Sequence, residues 1–392
     1  MRVALVHDWL TGMRGGEKVL EVLCELYPDA DLFTLFHKRG SVSPLIERRR
    51  IETSFVQHLP FAARRYRWYL PLFPLAVTQF RFDAYDLVIS TSHCAVKAIR
   101  PPGHVPHICY CHSPMRYAWD QFDAYFGPER VGPLTSRFVY RPIMGALARW
   151  DAATAPRVTR FIANSAYVAG RIQRYYGRAA TVVYPPVDTV FFQPGPPAAE
   201  RHFLIVSALV PYKRIELAID ACALAGVPLR IAGDGPDRAR LEARAMSMPG
   251  LKPRSVEAGL KTRLYRSTSQ VTFLGPVTGE ALREEYRRAC AVLLPGEEDF
   301  GIVPVEAQAC GRPVVAYGRG GALETVEDGV TGALFGDPDA GSMAAALTRV
   351  ASSRFDAPRL HAHAERFSRA RHVDGMRAVI AETLAAGPGA QW

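Results

Sequence analysis

The chain has 392 residues, of which 48% are hydrophobic and 22% charged, a balance that excludes a disordered protein and predicts two or three globular domains. No apolar stretch approaches the roughly 18 residues of a membrane-spanning helix. The start MRVALVHDW places His and Asp where a signal peptide needs an apolar core. We therefore expect a cytoplasmic protein whose seven cysteines are reduced.

The charged residues are unevenly distributed along the chain. The formal net charge is +10; residues 1–190 contain 24 basic and 15 acidic residues, whereas residues 191–392 contain 24 and 23. This excess predicts an anionic partner for the first half. Nucleic acid, anionic lipid and a phosphorylated substrate are all compatible with the charge alone.

The first half alternates short apolar runs with helical segments. The predicted strands cover residues 3–6, 32–36, 87–90, 107–111, 161–163 and 182–184, and the predicted helices include 17–27 and 166–176. Short buried strands that alternate with helices predict a parallel, doubly wound sheet. A proline-rich seam at 185–197 follows, and because proline disrupts regular structure it predicts a linker.

The second half repeats this scheme. Predicted strands cover 203–206, 229–232, 271–274, 292–294 and 314–316, and predicted helices cover 214–225, 236–245, 279–289, 303–310 and 342–352. We expect an α/β protein with two Rossmann-like, doubly wound domains, at 1–190 and 191–366, and a helix with a tail at 367–392. Parallel sheets bind ligands at the carboxyl ends of their strands, so we expect a cleft between the domains. Residues 247–270, which include a second group of basic side chains, are predicted to form a surface insertion.

The most informative motif is EDFGIVPVE, which follows a predicted strand and begins a helix. Its carboxylates Glu298 and Glu306 are eight residues apart. Between them the amides of residues 300–303 lie at a helix N-terminus, which favours an anion, and Gly301 lets a ligand approach the backbone. Carboxylates that accept neighbouring hydroxyls suit a sugar or a ribose. The motif fits a sugar–phosphate–ribose ligand, and by spacing alone a polar loop before an ordinary helical glutamate fits it equally well.

These residues carry a family resemblance. Glu298 and Glu306 match the E-x7-E motif of retaining GT-B glycosyltransferases, and the continuation EAQACGRPVVAYGRGGALETVEDGVTG resembles glycosyltransferase family 4. The segments SFVQHLP, YDLVISTSHCAVKAI, HICYCHSPMRYAWD and FIANSAYVAGRI are similar to the branch with O-antigen and exopolysaccharide mannosyltransferases. The resemblance extends over nearly the whole chain and implies the GT-B fold. It also implies that the final helix packs back on the N-terminal domain.

The resemblance implies roles for the residues of this motif. Glu306 would bind the ribose hydroxyls of a nucleotide. Glu298, with the backbone of Phe300 and Gly301, would bind the transferred sugar. The remaining implied donor contacts are the amides of Ile302 and Val303, near the sugar or diphosphate, and the turn with Gly275 and Val277, near the nucleobase.

A second motif, SALVPYKR, follows the strand at 203–206 and precedes a helix. Lys213 there is one of only six lysines, and its compact ammonium could neutralise a departing diphosphate. The family resemblance implies that Lys213 binds the diphosphate together with an arginine five residues earlier. This chain has Ala208 at that position, and Arg214 could compensate, although a solvated helix-start charge explains Arg214 equally well.

Two strand ends in the first half carry further candidates. Gly15 and Gly16 precede the first predicted helix, so amides there could approach a phosphate. His112 follows the strand at 107–111 and could bond a sugar or move a proton. The resemblance implies that both lie near the donor and the acceptor. Arg116 is a candidate phosphate contact, and a helix-surface charge is an equally good interpretation.

The predicted chemistry needs no metal ion. The run CYCH at 109–112 imitates a metal site, but no second ligand pair follows it. The triplet at 29–31 imitates a metal-binding D-x-D, but it precedes a strand of the first half, away from the donor residues, so we expect a loop there. The family resemblance implies front-face substitution, in which the leaving phosphate helps to deprotonate the acceptor. We expect no cofactor beyond the nucleotide-sugar substrate.

The basic excess concentrates between residues 48 and 81, where arginines alternate with aromatic residues. The most compact part contains Arg64, Arg65, Arg67 and Trp68. Cations mixed with aromatics suit a membrane interface, and the same mixture can bind RNA. No nucleic-acid module accompanies the segment, so we favour an anionic inner-membrane surface with a lipid-diphosphate acceptor. A solvated basic face is the remaining alternative.

The sequence therefore predicts a retaining, metal-independent hexosyltransferase on the inner face of the plasma membrane. The expected donor is GDP-mannose and the expected acceptor a polyprenyl-diphosphate-linked glycan of a bacterial surface polysaccharide. A UDP-sugar transferase or an epimerase of the same fold is the first alternative. A non-catalytic basic protein that binds membranes or RNA is the second.

Overall fold

Two seven-stranded parallel sheets organise the chain. The computed structural model describes residues 1–195, 202–248, 254–255, 271–387, 390 and 392. One sheet belongs to a unit formed by Met1–Pro186 with Ala370–Trp392, and the other to a unit formed by Val187–Arg369; we name these the first and the second unit. Residues 187–190 and 367–369 thus belong to the second unit. Most of the predicted insertion at 247–270 lies outside the described residues.

The sheet of the first unit has the order β3-β2-β1-β4-β5-β6-β7. Its strands are β1 (Val3–Leu10), β2 (Asp31–His37), β3 (Ile51–Thr53), β4 (Leu87–Ser92), β5 (His107–Cys111), β6 (Arg160–Ala163) and β7 (Ala180–Val182). Strand β1 is twice as long as the predicted run at 3–6, because His7, Asp8 and Trp9 are also buried. The prediction ended the strand too early because it treated the polar residues His7 and Asp8 as exposed.

Helices cover both faces of this sheet. They are α1 (Gly15–Leu26), α2 (Pro44–Glu47), α3 (Ala62–Arg65), α4 (Phe73–Ala76), α5 (Arg116–Trp119), α6 (Phe122–Phe126), α7 (Pro128–Val131), α8 (Pro133–Thr135), α9 (Arg141–Ala153) and α10 (Ala166–Tyr176). A π-helix spans Ser136–Tyr140, and 3-10 turns span Phe55–His58, Tyr66–Leu72, Val96–Ala98 and Ala155–Arg157. The main helix α1 buries Val19, Leu20 and Leu23 against the sheet.

The sheet of the second unit has the order β10-β11-β9-β8-β12-β13-β14. Its strands are β8 (His202–Val206), β9 (Leu229–Ala232), β10 (Arg254–Ser255), β11 (Val271–Gly275), β12 (Ala289–Leu294), β13 (Val314–Tyr317) and β14 (Gly332–Phe335). Its helices are α11 (Ile215–Ala225), α12 (Arg238–Ser247), α13 (Gly279–Arg288), α14 (Ile302–Ala309), α15 (Ala322–Thr325), α16 (Ala340–Ser352) and α17 (Ala357–Ala364), with 3-10 turns at Pro211–Lys213 and Glu365–Phe367. The strands β3, β10 and β14, of two to four residues, were not predicted because such short runs have no recognisable period.

The last helix, α18 (Arg369–Ala386), packs in the first unit. Met376, Val379 and Ile380 join the same buried cluster as the β1 residues Val3 and Leu5. The helix thus completes a core whose other members lie some 200 or more residues earlier in the chain. No helix in the described ranges is long and apolar enough to cross a bilayer.

Candidate functional site

The carboxyl ends of the parallel strands in the second unit bring several loops into contact. The loop after β12 pairs with the loop after β13 through the parallel bridge between Glu298 and Gly320 and the bond from Gly321 N to Glu298 O (2.8 Å). A Cβ added to Gly296 would lie 2.6 Å from the backbone oxygen of Tyr212, in the loop after β8. Glycine is required at these positions because a side chain would separate the loops.

These contacts unite the two predicted motifs of the second half. The Lys213 ammonium forms an ion pair with the Glu298 carboxylate, and both side chains are largely buried, with 19% and 11% of their surface exposed. Lys213 lies at the end of a 3-10 turn after β8, and Glu298 lies in the loop after β12. The sequence predicted the two residues separately, and the structure brings them together.

Helix α14 begins immediately after this pair. Its N-cap, Gly301, has φ +86°, a left-handed conformation that side chains rarely adopt. The side chain of Phe300 is 2% exposed and packs against Phe367, with ring centroids 5.5 Å apart. Phe300 can therefore offer a ligand only its backbone. The amides of Ile302 and Val303 form the first turn of α14, whose dipole favours an anion.

Glu306 lies on α14 and is 3% exposed. Its Oε2 accepts a hydrogen bond of 2.8 Å from the hydroxyl of Tyr286, a buried residue on α13. Burial, together with the Glu306 carboxylate, raises the pKa of Tyr286 well above its ordinary value, so the phenol remains a donor. This donor orients the carboxylate, and sequence reasoning missed it because Tyr286 belongs to no recognisable motif.

Arg214 has an unusual backbone. Its φ of +50° makes it one of two non-glycine residues with positive φ in the described ranges. The helix α11 consequently begins at Ile215 rather than at Arg214 as predicted. The guanidinium lies over the ring of Tyr317, at the end of β13, 5.4 Å from its centroid, and its Nη1 is buried without a hydrogen-bond partner among the described residues. Ala208 is exposed.

The predicted nucleobase turn lies at the same edge. Gly275 ends β11 with φ +73°, and its carbonyl accepts a hydrogen bond of 2.7 Å from Gly233 N. Val277, two residues later, is half-buried. This turn presents mainly backbone, since Gly275 has no side chain.

In the first unit the predicted His112 lies among other histidines. Gly15 and Gly16 begin α1 rather than precede it as predicted. A Cβ added to Gly16 would be 3.4 Å from both His112 Nε2 and His7 Cε1, so the first turn of α1 directly faces the imidazoles. Burial, followed by the neighbouring His93 and His7, lowers the pKa of His112 well below its ordinary value. His112 is therefore neutral at physiological pH. Gly15, the first residue of α1, is half-buried.

Two carboxylates lie beneath these histidines and were not predicted as functional. Asp8 is fully buried in β1 and lies 3.3 Å from Nδ1 of His93, while Glu17 lies 3.8 Å from Nε2 of His7. Burial raises the pKa of Glu17, but the interaction with His7 outweighs it and the pKa is lowered. Sequence reasoning missed them because His7 and Asp8 lie inside β1 and His93 just after β4, so no motif along the chain joins them.

The other first-unit candidates occupy different positions. Arg116 begins α5 and is half-buried. Cys109 and Cys111 are buried in β5, and burial raises the pKa of Cys109 to about 12, so it is a neutral thiol. In the described part of the chain no group of three or more His, Cys, Asp or Glu side chains could hold a metal ion.

The predicted basic segment lies on α3 and the following 3-10 turn. Arg64, Arg65, Arg67 and Trp68 are all exposed, Trp68 by 68%, and the Arg65 guanidinium stacks on Trp68 at 4.0 Å. Arg67 lies 5.8 Å from the ring of Trp9, and the ring centroid of Trp9 lies 4.4 Å from that of His93. The basic segment therefore adjoins the histidines through Trp9.

Comparison with known families identifies both halves of the chain. Residues 13–191 match the family "Glycosyltransferase Family 4", and residues 187–370 match "Glycosyl transferases group 1". Together the two matches cover residues 13–370 of the 392. The chain therefore belongs to the glycosyltransferases that combine these two domains, and the predicted family and fold class are confirmed.

The curated relatives include D-inositol 3-phosphate glycosyltransferases. The protein of Geodermatophilus obscurus is 36% identical over 250 residues, or 58% of this chain and 53% of the relative. That of Mycolicibacterium smegmatis is 36% identical over 222 residues, or 52% and 47%. The chain thus spans about half the length of the curated relatives it matches.

Solved structures share the fold at low sequence identity. Sucrose-phosphate synthase from Thermosynechococcus elongatus has a TM-score of 0.70 at 18% identity and covers 99% of this chain and 100% of its own. Anabaena HepE, solved with UDP, has a TM-score of 0.67 at 21% identity, with 98% and 100% coverage. HepE was also solved with UDP-glucose, with a TM-score of 0.65, 22% identity, and coverage of 98% and 100%.

Proposed function

We propose that this protein transfers a hexose, with retention of configuration, from a nucleotide sugar to a lipid-linked saccharide. The observation that carries the proposal is the Lys213–Glu298 ion pair beside the N-terminus of α14. A cation and helix amides suit a diphosphate, and an adjacent carboxylate suits sugar hydroxyls. Glu306, oriented by Tyr286, would accept the ribose hydroxyls.

Arg214 supplies a second cation in this proposal. Its buried Nη1 has no hydrogen-bond partner within the described ranges, and with its left-handed backbone and its position next to Lys213 this favours an anion contact over a solvated charge. It would then compensate for Ala208. Arg214→Gln should weaken nucleoside-diphosphate binding at least tenfold, and Ala208→Arg in that variant should recover part of the loss.

The proposed donor is GDP-mannose. The similarity of the first half to the mannosyltransferase branch supports mannose, whereas the fold neighbour HepE was solved with UDP and UDP-glucose, which supports a UDP-sugar as the alternative. The Gly275–Val277 turn would face the base mainly through backbone. Calorimetry of the full chain with GDP and with UDP decides between them, and preferential binding of UDP would contradict the mannose assignment.

The acceptor side of the proposal rests on the first unit. The exposed cations Arg64, Arg65 and Arg67, with Trp68, suit an anionic membrane surface and a polyprenyl diphosphate. Because Arg67 adjoins Trp9 and His93, a lipid-linked diphosphate at this segment would lie near the histidines. Arg116 would contact a phosphate of the acceptor, and the amides of Gly15 and Gly16, at the start of α1, would contact the donor phosphate. In this proposal the protein works at the inner face of the plasma membrane.

A transfer assay tests the reaction itself. The wild-type chain, GDP-[13C]mannose and a polyprenyl-diphosphate saccharide in vesicles should give a product whose anomeric coupling matches the donor. Addition of EDTA should leave the rate unchanged, in line with metal-independent transfer. An inverted product would contradict the retaining mechanism, and transfer to inositol phosphate instead of the lipid would replace the acceptor by the one that the relatives' name states.

Vesicle flotation separates the enzyme from a non-catalytic binding protein. The chain should float with anionic vesicles in a salt-sensitive manner, and replacement of Arg64, Arg65 and Arg67 by glutamine should abolish this. Binding to RNA without any transfer activity would support the non-catalytic alternative.

A further inference from the structure

His93 is the imidazole that the first unit leaves accessible. It lies just after β4, between His7 and His112, with ring centroids 6.1 and 6.4 Å away, and its side chain is 32% exposed. His7 is fully buried, and the Nε2 of His112 is buried without a hydrogen-bond partner in the described part of the chain. Of the three, His93 is therefore best able to reach a substrate.

The orientation of His93 is fixed from two sides. Its Nδ1 lies 3.3 Å from Oδ2 of Asp8, and its ring packs edge-on to Trp9, with centroids 4.4 Å apart at 87°. Two contacts on different sides of a flat ring leave it little rotational freedom. The Nε2 atom is on the opposite side of the ring from Asp8.

The backbone surrounds the carboxyl group of Asp8 with hydrogen-bond donors. Its two oxygens accept hydrogen bonds from the amides of His93, Cys94, Ala95 and Val96, at 2.7, 2.8, 2.7 and 3.0 Å. Four N–H donors hold both carboxyl oxygens of Asp8 in place. A carboxyl oxygen beside Nδ1 favours the imidazole tautomer with the proton on Nδ1, and Nε2 then carries a lone pair.

The other titratable and charged groups around His93 lie farther from it than Asp8 does. His7 on β1, Glu17 on α1, His112 after β5 and Arg67 on the basic segment all face it at longer range. Burial lowers the pKa of His93, against the opposing effect of Asp8, so the ring is neutral and able to accept a proton at neutral pH.

We propose that His93 is a catalytic residue that takes the proton of the acceptor hydroxyl, an inference that rests on the proposed transfer reaction. The acceptor oxygen bonds to the anomeric carbon, and the bond from that carbon to the phosphate oxygen breaks with its electron pair leaving on the nucleoside diphosphate. The hydroxyl proton moves to Nε2 of His93, and Asp8 offsets the imidazolium charge. The imidazolium then releases the proton to solvent.

Transfer kinetics of the full-length variant His93→Gln test this role. Loss of the base should lower kcat by about 10²- to 10⁴-fold, leave the affinity for the donor nucleotide unchanged and remove the acid limb of the pH–rate profile. His93→Gly should regain activity with added imidazole. The matched control is His104→Gln, an exposed histidine of the same unit, which should retain wild-type kinetics.

A second measurement needs no substrate. Long-range 1H–15N spectra of the wild-type chain, with the His93 signals assigned by their absence in His93→Gln, should show the Nδ1–H tautomer. An Nε2–H tautomer, or a His93→Gln enzyme within twofold of wild-type kcat, would overturn the assignment and leave the departing phosphate as the proton acceptor. Absence of transfer by the wild-type chain would instead overturn the proposed function.

Discussion

The two units build different chemistry on the same type of sheet. In the second unit the carboxyl edge presents a cation, a carboxylate and helix amides, brought together by glycines that let the loops touch. In the first unit the same edge presents imidazoles above two buried carboxylates. One arrangement suits charge neutralisation and the other suits proton exchange. The comparison shows that the side chains at the strand ends, rather than the topology, determine what each unit can do.

The largest effect expected in the second unit concerns its ion pair. Lys213→Met should lower kcat/KM of transfer by about 10²- to 10³-fold, because the leaving diphosphate loses its main cation. Combination with Glu298→Gln should cost less than the sum of the single losses, since the partners interact directly. The control is Arg349→Met, which removes an exposed ion pair of the same unit and should change the rate less than twofold. Additive losses would show that the pair does not act together.

A second prediction compares the glycine turns. A Cβ on Gly321 would collide with the backbone of Phe300 and Asp299, so Gly321→Ala should destabilise the second unit by roughly 1–3 kcal/mol. A Cβ on Gly16 would meet only side-chain atoms, at 3.4 Å, so Gly16→Ala should leave the free energy of unfolding nearly unchanged. The same substitution should lower the transfer rate if a phosphate approaches the start of α1.

The tryptophans allow the two units to be followed separately during urea unfolding. All five belong to the first unit, so fluorescence follows that unit whereas circular dichroism follows both. Gly321→Ala should shift the dichroism transition and not the fluorescence transition. A fluorescence shift of equal size would mean that the units unfold together.

The third prediction concerns acid sensitivity. His107 begins β5 and His202 begins β8, and burial lowers the pKa of each to about 3. Below pH ~6.5 the histidine binds a proton in the unfolded state but remains neutral in the native state. The free energy of unfolding is therefore highest above that pH and decreases as the pH falls toward 3. At pH 5 each histidine should lower the free energy of unfolding by about 2 kcal/mol. Urea midpoints should depend less on pH in His107→Gln and His202→Gln, whereas the exposed His58→Gln should match wild type.

The smallest effect on stability is expected at the surface. Trp68 in the first unit and Leu224 in the second are 68% and 66% exposed, so replacing either with serine should change the free energy of unfolding by less than about 0.5 kcal/mol. Only Trp68→Ser should weaken flotation with anionic vesicles, because Leu224 lies in the nearly neutral half. An equal loss of flotation in both variants would show that vesicle binding depends on exposed hydrophobic side chains in general rather than on the basic segment.

Local pattern predicted most of the fold. The helix at 166–176 and the strands at 107–111 and 229–232 have the predicted bounds, because each is a continuous segment with clear turn residues at its ends. Strand β1 was predicted too short, since burial of His7 and Asp8 depends on neighbours far away in sequence. The left-handed Arg214 also has no local signal.

The candidate site was predicted as separate motifs. Glu298 and Lys213 were identified individually, but their pairing depends on the close approach of two loops across the glycines. Tyr286, Asp8 and His93 escaped detection because their importance arises from partners on other elements. Sequence patterns identify groups near a ligand, whereas the groups that orient them are defined only by the packed structure.

The position of α18 has a consequence for synthesis. A ribosome produces the strands and helices of the first unit first, yet Met376, Val379 and Ile380 of that core emerge only after the whole second unit. Part of the apolar surface of the nascent first unit therefore remains exposed while about 180 residues of the second unit are translated. The second unit is contiguous and can fold as soon as it emerges. In this protein the unit made first is the one completed last.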